Sequence, residues 1–156
     1  MMGIGEEFSG RLALQQRVLP AYRAPFFEAL AAVCQGGLSV FAGQPRPDEN
    51  IPQIEKLEFA QFTPACNWHF LSVQSPFYRC YQAGLVDWLE HWQPDALIVE
   101  ANPRYLSTPA ALRWMRARGK PVLGWGLGAP LVSGRLAGWR KQARDRFLSS
   151  LDGVIA

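Results

Sequence analysis

Three short stretches of this chain hold side chains suited to gripping an anion or a sugar. The first is RVLPAYRAPFFEAL, Arg17–Leu30, in which Tyr22 and Arg23 stand between Pro20 and Pro25. The prolines restrict the backbone on both sides, so the turn presents its side chains with little loss of entropy. Arg23 immediately precedes a helix start, where free N–H groups and the helix dipole favour negative charge. Its planar guanidinium matches phosphate or carboxylate. The alternative is a stiffened connection in which Arg23 pairs with Glu28 or another local acid. The second stretch is EANPRYLST, where Glu100 is followed by Asn102, Arg104 and Tyr105. A carboxylate there can orient sugar hydroxyls or act as a base; Asn102-Pro103 can equally serve only to make a turn. The third is GWGLG, Gly124–Gly128. It lacks the GxGxxG spacing and the first-strand position of a dinucleotide fingerprint. It reads either as a close backbone approach around Gly126 with Trp125 as a stacking surface, or as a flexible strand-to-helix connection.

A fourth feature is charge. Between Arg113 and Arg146 stand Arg113, Arg116, Arg118, Lys120, Arg135, Arg140, Lys141, Arg144 and Arg146, opposed only by Asp145. The whole chain carries +3, so this basic surface is local. It is either a solvated face or an attractor of phosphate, nucleic acid or anionic headgroups. Arg135, Arg140, Lys141 and Arg144 are the expected contacts for an anionic membrane surface. Nucleic acid is the weaker partner, because the charged face has no interleaved aromatics and no known motif.

Other chemistries are unsupported. Cys34, Cys66 and Cys80 are scattered and form no CxxC pair, and the two histidines lack metal spacing, so no metal is expected and the thiols read as reduced core residues. His69 and His91 are isolated and read as structural or surface residues. A phosphoacceptor domain needs acids at the end of its first strand, where Gln15-Gln16 stand instead. No Walker motif or nucleophile elbow is present. The opening MMGIGEEFSG carries two glutamates and no apolar run, and PVLGWGLGAPLV is too short and glycine-rich to span a bilayer. The expected location is cytoplasmic, either soluble or peripheral at the inner face of a membrane.

The elements that must hold these stretches follow from the alternation of apolar and amphipathic runs. At 156 residues, 49% hydrophobic and 19% charged, the chain is one globular domain by size and composition. RLALQQRVL reads as a strand. Pro25 opens a helix with Phe26, Phe27, Leu30, Ala31 and Cys34 on one stripe, stopped by Gly36-Gly37. LSVFAG is a buried strand, QPRPDENIPQ a mobile loop, and WHFLSV a third strand. Leu85, Val86, Leu89 and Trp92 mark a helix, and DALIVEA is the clearest strand. Ser107-Thr108-Pro109 caps a helix ended by Gly119, and PVLGWG is a strand. Leu136, Trp139, Ala143, Phe147 and Leu151 are the apolar face of a long basic helix, followed by VIA. Strands separated by such helices predict an α/β fold with a parallel sheet covered by helices on both faces, with ligands at the carboxyl ends of the strands. Residues 1–10 read as a flexible extension and 11–156 as the domain. Because the chain stops inside what reads as a buried strand, it is expected to be a piece of a longer protein.

Taken together and in order, these stretches resemble the large retaining glycosyltransferase family, the group 1 or family 4-like enzymes of polysaccharide and lipopolysaccharide synthesis. RVLPAYRAPFFEAL resembles that family's first strand, turn and helix. PDALIVEANPRYLST and KPVLGWGLG resemble its fourth and fifth strand regions, and the closing LSSLDGVIA resembles the approach to its interdomain crossover. The resemblance covers nearly all of 11–156. It implies a GT-B architecture of two Rossmann-like domains facing a cleft, with this chain as the N-terminal, acceptor-side half. The nucleotide-sugar donor would be held mainly by a C-terminal domain that is missing here. It places Tyr22 and Arg23 at the cleft and Glu100, Asn102 and Arg104 on the acceptor side; with Pro20, Trp125 and Gly126 from the stretches above, these make up the expected substrate-binding set. It implies a glycan or lipid-linked acceptor and no activity for the isolated half. Relatives commonly carry histidine in a WGHG segment; here Leu127 stands in that place. The alternative is a non-catalytic Rossmann-like module binding a nucleotide, an anionic glycan or a protein partner.

Overall fold

A computed structural model describes residues 6–126 and 133–156. Six strands form one parallel sheet: β1 (Leu12–Val18), β2 (Leu38–Gly43), β3 (Gln61–Pro64), β6 (Ala96–Glu100), β7 (Val122–Trp125) and β8 (Gly153–Ile155). Their spatial order is β3-β2-β1-β6-β7-β8, and every pairing is parallel. This is the Rossmann-like, doubly wound arrangement: the chain leaves β1 toward one edge, then returns to build the other.

Alternation along the strands divides the core in two. Leu12, Leu14, Val40, Ala96 and Ile98 face one side, where Phe27 of α1 (Ala24–Ala32) covers them. Ala13, Phe41, Leu97, Val99 and Val122 face the other. There they meet α2 (Leu85–Trp92), α3 (Thr108–Ala117), Phe147 of α4 (Ala137–Ser149) and Leu151 just beyond it. A sheet covered on both faces needs apolar residues at successive positions, and all six residues of β2 are buried. Gly124 of β7 is a space requirement: a Cβ there would lie 2.5 Å from Leu151 Cδ1, so glycine lets the chain after α4 close onto the sheet.

Several expectations need correction. Residues 68–73 do not form the third sheet strand. β4 (Cys66–Phe70) pairs antiparallel with β5 (Arg79–Ala83) in a separate hairpin inserted between β3 and α2. The true third strand, β3, is a partly exposed edge of four residues, so it carries no apolar run to announce it. In α1 only Phe27 is fully buried, and Phe26 is 51% exposed. Of the expected flexible extension, residue 8 is bound: Phe8 pairs with the segment after α1, through Phe8 N–H to Val33 O (2.9 Å) and Gln35 N–H to Phe8 O (2.8 Å). The proline-rich loop 44–53 is tied back by Ala21 N–H to Pro52 O (2.8 Å) and by Glu49. Ser107 sits at the start of α3 without capping it, because its hydroxyl accepts the Gln82 N–H instead (3.3 Å). Val154 and Ile155 are exposed on the sheet edge rather than buried, and Cys66 is an exposed thiol. Among the described residues no helix is long and apolar enough to cross a membrane.

The division of α1 gives a direct test. Phe27→Ala should lower unfolding stability by about 3–5 kcal/mol, the usual cost of emptying a buried aromatic site. Phe26→Ala should cost less than half of that. Denaturant midpoints of the two variants measure the difference.

Candidate functional site

The site grows from two adjacent glutamines. Gln15 and Gln16 are fully buried near the end of β1, where an unpaired amide would be costly. Each is satisfied. The Gln15 amide donates to Gln82 Oε1 on β5, while Gln15 Oε1 accepts the Glu100 N–H (3.1 Å). Gln82 Nε2 donates to Gln16 O (3.0 Å) and to Asn67 Oδ1 (2.9 Å). Asn67 Nδ2 completes the set on Arg17 O (2.7 Å). Asn67 lies where a Cβ of Gly43 would stand, 2.3 Å away, so glycine at the end of β2 admits the carboxamide. The hairpin is thereby fixed over the carboxyl end of β1.

β1 also slips register between Gln16 and Val18. Arg17, the extra residue, donates its N–H to Glu100 Oε2 on the other neighbouring strand (3.1 Å). The Arg17 guanidinium grips Glu49 with two bonds (2.9 and 2.6 Å), which holds the Glu49 carboxylate below its ordinary pKa.

Above these groups lies a cavity of about 550 Å³. It sits at the carboxyl ends of β1, β6 and β7, at the point where the chain's winding reverses, which is the usual place for ligands in such sheets. Arg23, Glu100, Asn102, Arg104, Trp125 and Gly126 all line it, as do Arg140 and Arg144 of α4. Eight of the residues singled out in the sequence therefore meet in one cavity. Pro20 and Tyr22 do not line it. Pro20 is buried against Gln53, and the Tyr22 ring is 73% exposed. Arg135 lines a neighbouring cavity of about 400 Å³ that shares Arg104 and Arg140. Lys141 points elsewhere and pairs with Asp145 (2.8 Å). The single basic docking face expected of α4 is thus divided between cavity and solvent. Leu127 lies outside the described residues.

Arg23 does not pair with Glu28. Its guanidinium donates to Gln16 Oε1 and lies over two rings, Trp125 at 5.1 Å and Tyr22 at 5.7 Å, held there by cation–π attraction. Glu28 instead accepts the backbone N–H groups of Glu58, Phe59 and Ala60. Trp125 is an internal stacking surface, packed on Phe26 and Phe27 as well as Arg23.

Five arginines line the cavity, Arg23, Arg79, Arg104, Arg140 and Arg144, with one carboxylate, Glu100. Among the described residues only Arg144 has an acidic partner, Asp145 at 3.7 Å, and its Nε is buried without a hydrogen bond. Burial, together with neighbouring Arg140 and Arg79, pushes the Arg104 pKa below its usual value. Burial raises the Glu100 pKa above the usual 4.5, opposed by the Tyr105 hydroxyl and the Arg17 N–H. Asn102 serves both readings: it lines the cavity, and its Oδ1 accepts the Arg104 N–H (3.0 Å) to shape the loop. Guanidinium groups crowded around a recess with so little countercharge select an anionic ligand. A carboxyl with a raised pKa supplies a hydrogen-bonding or proton-transfer group beside it. Scanned against protein-family models, curated proteins and solved structures, the chain matches none.

The sequence reading missed Gln16, Arg79 and Trp139 as lining residues. The buried glutamine pair in an apolar strand was the available signal for the first. Arg79 arrives on a hairpin with no parallel-sheet signature. Trp139 reads as core by its spacing, yet half of it is exposed at the cavity mouth.

Two outcomes follow. Gln82→Ala strands the Gln15 amide and the Gln16 carbonyl, and should cost about 1–3 kcal/mol. Amide exchange across residues 66–83 should accelerate before that of β1 and β6. For Glu100, a folded-state pKa above the unfolded value means a contribution present at low pH and lost as the pH rises from about 4.5 through the folded midpoint. Glu100→Gln should therefore gain stability relative to the parent between pH 4 and 7, read from urea midpoints. Parallel profiles would contradict the shielded carboxyl.

Proposed function

We propose that this chain is the acceptor-side domain of a retaining glycosyltransferase, and that its arginine-lined cavity takes the phosphate-bearing end of the acceptor. The observation that carries the reading is the placement of five arginines and one shielded carboxylate at the winding reversal of a doubly wound parallel sheet. The resemblance of the loops after β1, β6 and β7 to that family supplies the reaction class. Sugar transfer with retention depends on positioning and on stabilising a leaving phosphate, so it needs no prominent base from this half.

In this reading Arg104, Arg140 and Arg144 hold the acceptor's phosphates by charge-assisted hydrogen bonds. Arg23, already oriented by Gln16 and Trp125, faces the cleft side of the cavity. Glu100 positions a hydroxyl and exchanges a proton with it. The donor nucleotide-sugar belongs chiefly to the C-terminal domain, so the chain alone binds without transferring sugar. A second reading, a module that binds a nucleotide, an anionic glycan or a protein partner without chemistry, draws support from the cavity lining. Glu100 is the only carboxylate among the lining residues, and no histidine stands beside it.

Titration calorimetry separates the two. The acceptor reading expects inorganic pyrophosphate to bind more tightly than a nucleotide-sugar, and Arg104→Ala or Arg144→Ala to weaken it by about tenfold or more. Lys141→Ala should leave it unchanged. Preference for the nucleotide-sugar favours the binding module. Pyrophosphate affinity indifferent to both arginine variants, or sugar transfer by the chain alone, overturns the proposal.

A further inference from the structure

The β4–β5 hairpin has two unlike faces. Asn67, His69, Cys80 and Gln82 point inward, into the amide network and onto Tyr78. The outer face pairs Trp68 with Tyr81 and Phe70 with Arg79 directly across the strands. Trp68, Phe70 and Tyr81 are 58%, 47% and 43% exposed. The loop beyond adds Leu71 and Phe77, also more than half exposed. Leu71 holds φ at +66°, a conformation that a leucine rarely adopts. Its carbonyl is secured by the Arg46 guanidinium (3.2 Å). An unfavourable backbone is thus spent on displaying an apolar side chain to solvent.

Charge identifies what this face meets. Residues 59–86 contain no aspartate or glutamate. Their one formal charge is Arg79, and Arg46 stands at the tip. Arg46 is itself paired with Asp48 (3.8 Å), but large aromatic and aliphatic side chains on a segment that carries arginine and no acid of its own match the headgroup region of a bilayer bearing negative lipids. The face is also continuous with the arginine cavity: Pro76 and Arg79, from the same hairpin and loop, line that cavity. Trp139 lines it as well, and Leu136 lines its neighbour. Both are exposed, so the apolar rim extends to the cavity mouths.

We infer that the outer face and tip of the β4–β5 hairpin seat in the headgroup layer of an anionic bilayer, so that the arginine cavity opens onto the membrane surface. The device is the hairpin rather than the basic helix α4, two of whose arginines are turned into the cavity. The inference rests on the glycosyltransferase reading only for the identity of the cargo, which becomes a lipid-linked acceptor with its phosphates in the cavity and its chain toward the bilayer. Contact with the bilayer does not depend on it.

Vesicle co-sedimentation tests the assignment. Vesicles of phosphatidylcholine with roughly 30% phosphatidylglycerol should retain the protein, less so at high salt. Brominated lipids should quench its fluorescence, and Trp68→Phe should remove part of that quenching. The triple variant Phe70→Ser, Leu71→Ser, Phe77→Ser changes only exposed side chains, so folding, checked by circular dichroism, should persist. Its vesicle binding should fall by about tenfold or more while its pyrophosphate affinity holds. Lys141→Glu should bind vesicles like the parent. Parent protein that ignores anionic vesicles at low salt overturns the inference. So does a triple variant that binds undiminished, including one that merely converts a dimer to a monomer, or binding that Lys141→Glu abolishes while the triple variant retains it. Hairpin-dependent vesicle binding without any pyrophosphate binding upholds the bilayer contact and overturns the acceptor reading instead.

Discussion

The amides of Gln15, Gln82 and Asn67, with the backbone they bind, are the constraint on which the rest of the site depends. A parallel sheet has no intrinsic way to hold an inserted hairpin over its carboxyl edge, since the hairpin shares no ladder with it. Here the connection is made by side-chain amides, each with partners for its donor and acceptor, and by backbone bonds between Cys80 and the loop after β6. A partly satisfied set would be worse than an apolar one. The same residues therefore specify one placement of the hairpin, and with it the positions of Arg79 and the cavity wall.

Charge imposes the second constraint. Five guanidinium groups around one cavity repel one another, and the structure holds them apart by different means. Arg23 is braced by an amide and an indole, Arg79 by the Tyr78 carbonyl (2.8 Å), and Arg144 lies against its neighbour Asp145. None of these contacts neutralises the cavity as a whole. The unliganded fold carries that repulsion as a standing cost, and an anion that relieves it stabilises the folded state by linkage.

Much of this was legible in the sequence, for identifiable reasons. β1, β2, β6 and β7 are buried apolar runs of strand length, and α2 and α3 carry clear helical periodicity, so the parallel α/β sheet followed from pattern alone. The loops after β1, β6 and β7 were marked because a strand's carboxyl end is a topological position that can be counted along a chain. β3 was not legible, because an exposed four-residue edge has no apolar signature. The hairpin was read as sheet because Trp68 and Phe70 look like core residues; alternation cannot tell a buried face from one turned to solvent. The partner of Arg23 was not legible either. Glu28 is close in sequence, but its carboxylate is already committed to three backbone N–H groups, a long-range arrangement that no local spacing encodes.

The bulge at Arg17 bears on how this site tolerates change over generations. The hydrogen bond that Glu100 receives from this position comes from a backbone N–H. Any residue but proline supplies that group, so substitution at position 17 leaves it in place. The side chain at the same position has a separate task, gripping the largely buried Glu49. A change of length near the end of β1 is a different matter, because it would shift which residue presents its N–H to Glu100. This one contact of the acid is thus robust to point substitution and sensitive to insertion or deletion, unlike its contact with the Tyr105 hydroxyl.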